Sequence, residues 1–314
     1  MFDLTTIGEG QIRLTVPHGE RLSRTKELRV SAACSEANVA GLLAQLGRKT
    51  SWCSRLPRTD LAERCLSEFR SVGVDLSAML RTDEGRMALY FMEPGNPPMP
   101  SRVTYDRTHT PFREISPEMI DWGTLLDTRL VFVTGITAAL TDSTAEVLRH
   151  FVDQAVVKGI DVALDVNYRS LLWSPEQARE VLGWIAERST VVFCSRRDAE
   201  TVFGIEGERS ASSRKVRETF GVRHVVSTDQ TDGVYYSGPD GELEYPVEVV
   251  PIVDRPGAGD SFVAGTIHGF LDGDIVAGIG YGQRVSKFAL PHLGDLTHVT
   301  PAELAAPTST DILR

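Results

Sequence analysis

The sequence predicts a three-layer α/β protein: a parallel sheet with helices on both faces, and a small antiparallel β lid beside it. Apolar runs alternate with amphipathic segments after Pro111, as in successive strand–helix units. Two short β-like runs lie between Gly85 and Arg107, separated by a turn rich in proline and glycine. A length of 314 residues with 41% apolar content suffices for one sizeable core. We therefore expect a single domain over residues 1–314.

The first part of the chain supplies core elements and one lid strand. Leu4–Gly10 has the pattern of a buried strand that ends at a glycine. Ile12–Val16 alternates apolar and polar residues, which indicates a half-exposed strand. The apolar spacing is helical over Glu36–Leu46 and again over Leu61–Val72, and a glycine follows each segment.

The lid is predicted from residues of about 11–17 and 85–110. Arg86–Met92 and Arg102–Asp106 are short strands on either side of the turn Pro94–Pro98, and Ile12–Val16 completes the sheet. An exposed sheet has edges that need covering. We therefore expect a homodimer or higher homo-oligomer formed through the lid.

The rest of the chain alternates strands with helices. Ligands of such parallel sheets bind beyond the carboxyl ends of the strands. The predicted strands are Leu130–Val133, Val162–Val166, Val191–Cys194 and His224–Ser227, and the predicted helices are Thr144–Val157, Pro175–Glu187, Arg197–Phe203 and Ser213–Phe220.

Charge and composition exclude several function classes. A net charge of −10 argues against broad binding of nucleic acid or anionic membranes. No run of 18 apolar residues suggests a membrane span, and the first residues lack the pattern of a secretory signal. The four cysteines lack CxxC spacing, so reduced thiols in the cytoplasm are expected.

The segment Val253–Gly265 is the most informative part of the chain. Gly257 and Gly259 allow a tight turn, and an apolar helical run follows from Phe262. A helix that opens at such a turn directs free N–H groups and its positive dipole end at a bound phosphoryl group. Taken alone, Asp260 is equally well explained as the N-cap of this helix.

With its flanks, this segment resembles the C-terminal signature of the ribokinase-like (PfkB) family of sugar kinases, and further segments agree in order over nearly the whole chain. The resemblance implies an ATP-dependent kinase with a ribokinase-like, doubly wound sheet. Asp260 would be the general base for the acceptor hydroxyl. The N–H groups of Gly257, Ala258 and Gly259 would form an anion hole for the transferred phosphoryl group.

The resemblance also implies sites for ATP and cations. Thr228–Gly233 matches the nucleotide turn but departs from it at Asp229 and Gln230. A hairpin turn closed by Asp232 and Gly233 is a second interpretation, and both can hold, since such a turn can also bind ATP. The full set expected to bind ATP is Asn167, Arg169, Ser195, Thr228, Gln230, Asp232, Gly233, Gly257 and Gly259.

Ser195 and Asp198 stand where the family has Asn-x-x-Glu, which helps to organise Mg²⁺ and phosphate; Asp198 would act through water. Their alternative is to cap the helix that begins there. Asp254 matches the family position near a monovalent-cation loop, so K⁺ is a possible second cation, and a turn cap is its alternative role.

Within the family the chain most resembles 2-keto-3-deoxygluconate kinases, through Ala88–Phe91, Val103–Arg107, Asp165–Arg169 and Gly294-Asp295. This resemblance implies that a sugar acid is bound by Tyr90, Tyr105, Arg107 and Arg169. The planar guanidinium fork of arginine suits a carboxylate. By residue type alone, Arg107 would be an exposed strand residue, and Arg169 could equally contact ATP phosphates.

One segment departs from the family pattern. Ala33-Cys34 replaces a Gly-Gly pair whose backbone closely approaches the sugar, and two added side chains would reshape the pocket. Cys34, Ser35 and Asn38 are the candidates for acceptor contacts in this segment. The alternatives to a keto-sugar acid kinase are a kinase for a neutral sugar or nucleoside and a non-catalytic sugar or nucleotide sensor.

Overall fold

The computed structural model describes residues 1–95 and 98–306; Asn96 and Pro97 of the predicted turn lie outside this part. Its strands are β1 (Phe2–Ile7), β2 (Gln11–Thr15), β3 (Arg29–Ala33), β4 (Thr50–Cys53), β5 (Arg55–Pro57), β6 (Leu80–Thr82), β7 (Ala88–Glu93), β8 (Arg102–Asp106), β9 (Thr128–Thr134), β10 (Asp161–Asp165), β11 (Val191–Phe193), β12 (His224–Asp229), β13 (Gly233–Gly238) and β14 (Gly241–Tyr245).

Its α-helices are α1 (Ser35–Gln45), α2 (Asp60–Ser71), α3 (Trp122–Leu125), α4 (Gly135–Ala138), α5 (Asp142–Val157), α6 (Pro175–Ala186), α7 (Arg196–Phe203), α8 (Ser210–Phe220), α9 (Ala258–Leu271), α10 (Ile275–Ala289) and α11 (Pro301–Ala305). Two short 3-10 turns, Pro111–Glu114 and Pro117–Met119, precede α3. No helix among the described residues combines the length and the apolar character needed to cross a bilayer.

The middle layer is an eight-stranded sheet in the order β14-β13-β12-β11-β10-β9-β1-β4. The strands from β12 to β4 run parallel to their neighbours, and β13 and β14 add an antiparallel edge. The predicted α/β fold is therefore confirmed, and the carboxyl ends of the parallel strands meet along one edge.

Two apolar cores lie on opposite faces of this sheet. In β9, Leu130 and Phe132 pack with α1, α2, α9 and α10, whereas Val131 and Val133 pack with α5 to α8. A strand that is buried on both faces needs apolar residues at successive positions. This requirement explains the short apolar runs from which the parallel strands were predicted.

The small sheet has the order β3-β2-β7-β8. Its outer pairs are antiparallel, as predicted for the lid, but the central pair β2–β7 is parallel. The long connection through α1 and α2 lets β7 run in the same direction as β2, whereas strands joined by a hairpin run in opposite directions. Strand β3 was not predicted and lies outside the segments 11–17 and 85–110.

Helix α10 was also absent from the sequence prediction. It packs against α9 through glycines: a Cβ atom on Gly265 would lie 2.6 Å from the Cα atom of Gly282. Gly278 and Gly282 therefore permit close helix contact, although glycine within a sequence usually signals a weak helix. This contact supports α9, whose first turn carries Asp260.

Candidate active site

A cavity of about 1390 Å³ opens at the carboxyl ends of the parallel strands, where ligands of such sheets bind. Its wall includes Glu9 after β1, Asp165 at the end of β10 and Ser195 after β11. Tyr90 and Tyr105 of the small sheet line the same cavity. The two sheets therefore enclose one common site.

Asp260 lies in the first turn of α9 but does not cap the helix. Its Oδ1 accepts a hydrogen bond from the Ser35 hydroxyl at 2.5 Å, and its Oδ2 accepts one from the Asn38 amide at 2.7 Å. The N-cap is Gly257, which has no side chain to bond the helix. The N-cap alternative for Asp260 is therefore wrong, because its carboxylate turns toward α1.

Burial raises the pKa of Asp260 to about 6. The hydrogen bonds from Asn38 and Ser35 favour the ionised form and act against this rise. The Asp295 carboxylate acts in the same direction as burial. The result is a carboxylate that is still ionised at neutral pH but is far more basic than an exposed one, as suits a general base.

The glycine turn before α9 faces the cavity. Gly257 has a φ of +87°, the left-handed region that favours glycine, and both Gly257 and Gly259 line the cavity. The N–H of Ala258 donates to the Arg255 carbonyl at 3.3 Å, so this group is already engaged in the turn. The amino end of a 14-residue helix thus points its dipole at the site.

The two tyrosines predicted to bind the acceptor face each other across β7 and β8. The rings of Tyr90 and Tyr105 are 5.9 Å apart. The Tyr90 hydroxyl donates to Asp295 Oδ2 at 2.6 Å, so it is held in place by a carboxylate of the opposite loop. Tyr105 remains 40% exposed on the cavity wall.

Arg107 is buried rather than an exposed strand residue. It retains 7% exposure, and its Nε donates to Glu9 Oε2 at 2.8 Å, while Nη2 lies 2.6 Å from the same oxygen. Thr110 donates to the other Glu9 oxygen. Arg107 still lines the cavity and lies over the Tyr105 ring. One edge of its guanidinium is therefore occupied by Glu9, which the sequence did not identify.

Comparison with known proteins identifies the family of the chain. The family model for pfkB family carbohydrate kinases matches residues 1–300. This chain belongs to the pfkB family of carbohydrate kinases. It is 31% identical over 303 residues to a 2-dehydro-3-deoxygalactonokinase of Haloferax volcanii, covering 96% of this chain and 95% of the relative.

Two further proteins that are similar to this kinase have related names. A 5-dehydro-2-deoxygluconokinase of Bacillus velezensis is 27% identical over 321 residues and is covered over 95% of its length, against 96% of this chain. The crystal structure of 2-dehydro-3-deoxygluconokinase from Thermotoga maritima superposes with a TM-score of 0.90 at 29% identity, covering 96% of this chain and 97% of that one.

A group of polar side chains connects the kinase's Asp260 to the end of β10. The Asn167 amide donates to Ser35 Oγ at 3.3 Å and to Asp165 Oδ2 at 3.1 Å. Burial raises the pKa of Asp165 to about 8, and the Asp260 and Asp198 carboxylates add to the rise. Asp165 therefore binds a proton far more readily than an exposed aspartate does.

The predicted cation residue Asp198 lines the cavity at the start of α7. Ser195 is the N-cap of this helix and accepts a hydrogen bond from the Asp198 N–H at 3.0 Å, as in the capping alternative. Asp198 Oδ2 accepts from the Tyr168 N–H at 3.4 Å. Within residues 1–95 and 98–306, no three His, Cys, Asp or Glu side chains are grouped to hold a metal.

The predicted nucleotide turn is a hairpin. Asp229 pairs with Gly233 where β12 turns into β13, so the hairpin is confirmed, while ATP binding by this turn stays a prediction. Thr228 lines the cavity, whereas Gln230, Asp232 and Gly233 are not among the described residues that line it. Asp229 forms an ion pair with Arg196, so its carboxylate is directed at α7. The sequence alone could not show which residues of this segment line the cavity and which lie only in the turn.

The remaining acceptor candidates differ in exposure. Arg169 is exposed at the cavity, and its Nη1 donates to the Tyr168 carbonyl at 3.1 Å. Cys34 is buried, and its thiol donates to Glu36 Oε2 at 3.3 Å. The predicted site residues that line the cavity are Cys34, Ser35, Asn38, Tyr90, Tyr105, Arg107, Asn167, Arg169, Ser195, Asp198, Thr228, Gly257, Gly259 and Asp260.

Asp254, predicted to lie near a monovalent cation, is buried and paired with an arginine. Its two carboxylate oxygens lie 2.8 and 2.7 Å from Nη2 of Arg13, and its Oδ2 also accepts from the Gly294 N–H at 3.1 Å. A guanidinium beside Asp254 already supplies the positive charge. K⁺ at Asp254 stays a prediction, and the ion pair with Arg13 is a second way to balance the charge of this carboxylate. The sequence contained one weak indication of this pairing: Arg13 is a charged residue within the alternating segment Ile12–Val16.

Proposed function

We propose that this kinase transfers the γ-phosphoryl group of ATP to a hydroxyl of a keto-deoxy sugar acid, with 2-keto-3-deoxygluconate as the first candidate and Asp260 as the general base. The observation that carries the proposal is the Asp260 carboxylate, held by Ser35 and Asn38 beside the amino end of α9. The names of the relatives, all kinases of dehydro-deoxy sugar acids or sugars, support the acceptor class.

The proposed reaction needs one proton acceptor and a site for negative charge. The acceptor hydroxyl gives its proton to Asp260 as its oxygen bonds to the γ-phosphorus, and the bond from that phosphorus to ADP breaks. The N–H groups of Gly257 and Gly259 stabilise the phosphoryl oxygens. Asp198 would hold Mg²⁺, which the family implies, through water, and the ion would supply positive charge to the phosphates there.

The base assignment predicts the pH dependence of kcat/KM. A group with a pKa of about 6 is deprotonated above that pH, so we expect constant activity at higher pH. Below it, activity should fall about tenfold per pH unit as Asp260 takes up a proton. An ordinary carboxyl would show this fall only near its usual, lower pKa. Direct measurement of ADP between pH 5 and 9 tests this, and constant activity down to pH 5 would contradict it.

A neutral sugar or nucleoside is the second candidate acceptor. The Glu9 carboxylate compensates the charge of Arg107, which leaves the acceptor end less positive than the sequence suggested. A screen of ADP release over sugar acids, hexoses, pentoses and nucleosides decides between these acceptors. Purified protein that binds sugar or nucleotide but releases no ADP with any acceptor would instead support the sensor alternative.

The role of Arg107 is best tested with a charge-balanced pair. Arg107→Met alone would leave Glu9 buried without its cation, at a cost of about 3–5 kcal/mol. We therefore compare Glu9→Gln with Glu9→Gln/Arg107→Met. If Arg107 binds the acid, adding Arg107→Met should raise the KM for 2-keto-3-deoxygluconate about tenfold or more with little change in kcat. Equal KM values in the two variants would favour a neutral acceptor.

We further propose that the small sheet closes over the bound sugar and excludes water. Its cavity face carries Tyr90 and Tyr105, and its strands β2 and β7 reach the loops around α9 through Arg13 and Tyr90. The homo-oligomer formed through this sheet and the cytoplasmic location stay predictions.

A further inference from the structure

Arg13 is the most deeply buried charged side chain near the site. It lies in β2, has 0% exposure, and its guanidinium contacts two carboxylates outside the small sheet. Nη1 donates to Asp295 Oδ1 at 2.5 Å, and Nη2 donates to Asp254 Oδ1 at 2.8 Å. One cation thus joins two carboxylates that are 41 positions apart in the chain, as their residue numbers show.

The two carboxylates belong to the loops that shape the glycine turn. Asp254 precedes the turn, and its N–H bonds the carbonyl of Leu290 at the end of α10 at 3.1 Å. Asp295 follows α10, and its carbonyl oxygen lies against Gly257, so that a Cβ there would overlap it. Arg13 therefore connects the small sheet to both sides of the predicted anion hole.

Charge explains why a cation is needed here. Asp254 and Asp295 retain 4% and 8% exposure, so water screens their mutual repulsion poorly. The Gly294 N–H and the Tyr90 hydroxyl each donate one hydrogen bond, but neither carries a charge. Arg13 alone among the described contacts of these two carboxylates supplies a positive charge.

We propose that Arg13 is a positioning residue that replaces a bound alkali-metal ion, so that the kinase holds its glycine turn in place without K⁺. The guanidinium lies within 2.8 Å of both Asp254 oxygens and so supplies the positive charge that a monovalent cation would otherwise provide there. The inference rests on the phosphoryl transfer of the proposed function but not on the choice of acceptor. According to this proposal, the activity of the kinase does not depend on K⁺ because of the Arg13 side chain.

The first test compares the wild-type protein in KCl, NaCl and tetramethylammonium chloride at equal ionic strength. With whichever acceptor gives the highest ADP release, we expect rates that agree within about twofold. A loss of about tenfold or more in tetramethylammonium chloride, restored by KCl, would overturn the proposal.

Variants separate a positioning role from simple packing. Arg13→Met should lower kcat about tenfold or more in tetramethylammonium chloride, and K⁺ should restore part of it. Arg13→Lys retains a charge and should stay insensitive to K⁺. Arg86→Met is the matched control, because Arg86 pairs with Asp106 at the surface of the same small sheet. If Arg13→Met has wild-type kcat, or if K⁺ restores nothing and Arg13→Lys is equally inactive, the proposal fails.

Thermal denaturation of the ligand-free proteins gives a readout without catalysis. We expect K⁺, compared with tetramethylammonium, to raise the Tm of Arg13→Met and to leave the Tm of the wild-type protein and of Arg86→Met unchanged. The same response to K⁺ in the wild-type protein and in Arg13→Met would count against the proposal. This measurement holds even if no acceptor in the screen supports ADP release, in which case the proposed function fails separately.

Discussion

Replacement of Asp260 by Asn is expected to lower kcat by about 10²- to 10⁴-fold, the range that a general base contributes. The amide has nearly the same shape but cannot take up the acceptor proton at neutral pH. Its oxygen can still accept the hydrogen bond from Ser35. The side-chain oxygen of Asn38 has no hydrogen-bond partner among the described residues, so a rotated Asn38 amide can accept from the new NH₂ group.

Because these bonds can be kept, the Asp260→Asn variant should fold and bind ATP as the wild-type protein does. Single-turnover ADP formation measures the chemical step, and calorimetric titration measures ATP affinity. Asp240→Asn, at the exposed turn between β13 and β14, is the matched control for a change from Asp to Asn. A kcat within about tenfold of wild type would show that Asp260 is not the base.

Much of the fold follows from local sequence patterns. The parallel strands β1 and β9 to β12 were predictable because residues such as Val131 and Phe132 are buried on opposite faces of the sheet, which demands apolar residues at successive positions. The parallel edge strand β4 was not predicted. Helix α10 was not predictable in the same way. Its glycines at 278 and 282 weaken the helical signal, and their purpose becomes visible only where they meet α9.

The site was partly predictable, and the limit is long-range pairing. The glycine turn and Asp260 are adjacent in the chain, so their common role could be recognised locally. Arg107 pairs with Glu9 across 98 positions, and Arg13 pairs with Asp295 across 282 positions. No periodicity carries information over such distances. The sequence analysis therefore assigned Arg107 to the acceptor and Asp254 to a cation without knowledge of their ion-pair partners.

Replacement of Gly257 by Ala is expected to disrupt the anion hole and to lower kcat by about 10²-fold or more. A Cβ at this position would overlap the carbonyl oxygen of Asp295, and the backbone φ of +87° is unfavourable for any residue with a side chain. The turn must therefore shift, and its N–H groups move with it. The strained backbone alone should cost about 1–2 kcal/mol of unfolding free energy.

Two further glycines make this prediction specific. Gly280 is exposed within α10, and a Cβ there meets no atom within 4 Å, so Gly280→Ala should raise stability slightly and leave kcat unchanged. A Cβ on Gly259 also meets nothing within 4 Å, so Gly259→Ala should keep the wild-type Tm. Urea denaturation and ADP release measured on all three variants separate loss of stability from loss of phosphoryl binding. Wild-type kcat in Gly257→Ala would show that the glycine turn serves packing against Asp295 and does not hold the transferred phosphoryl group.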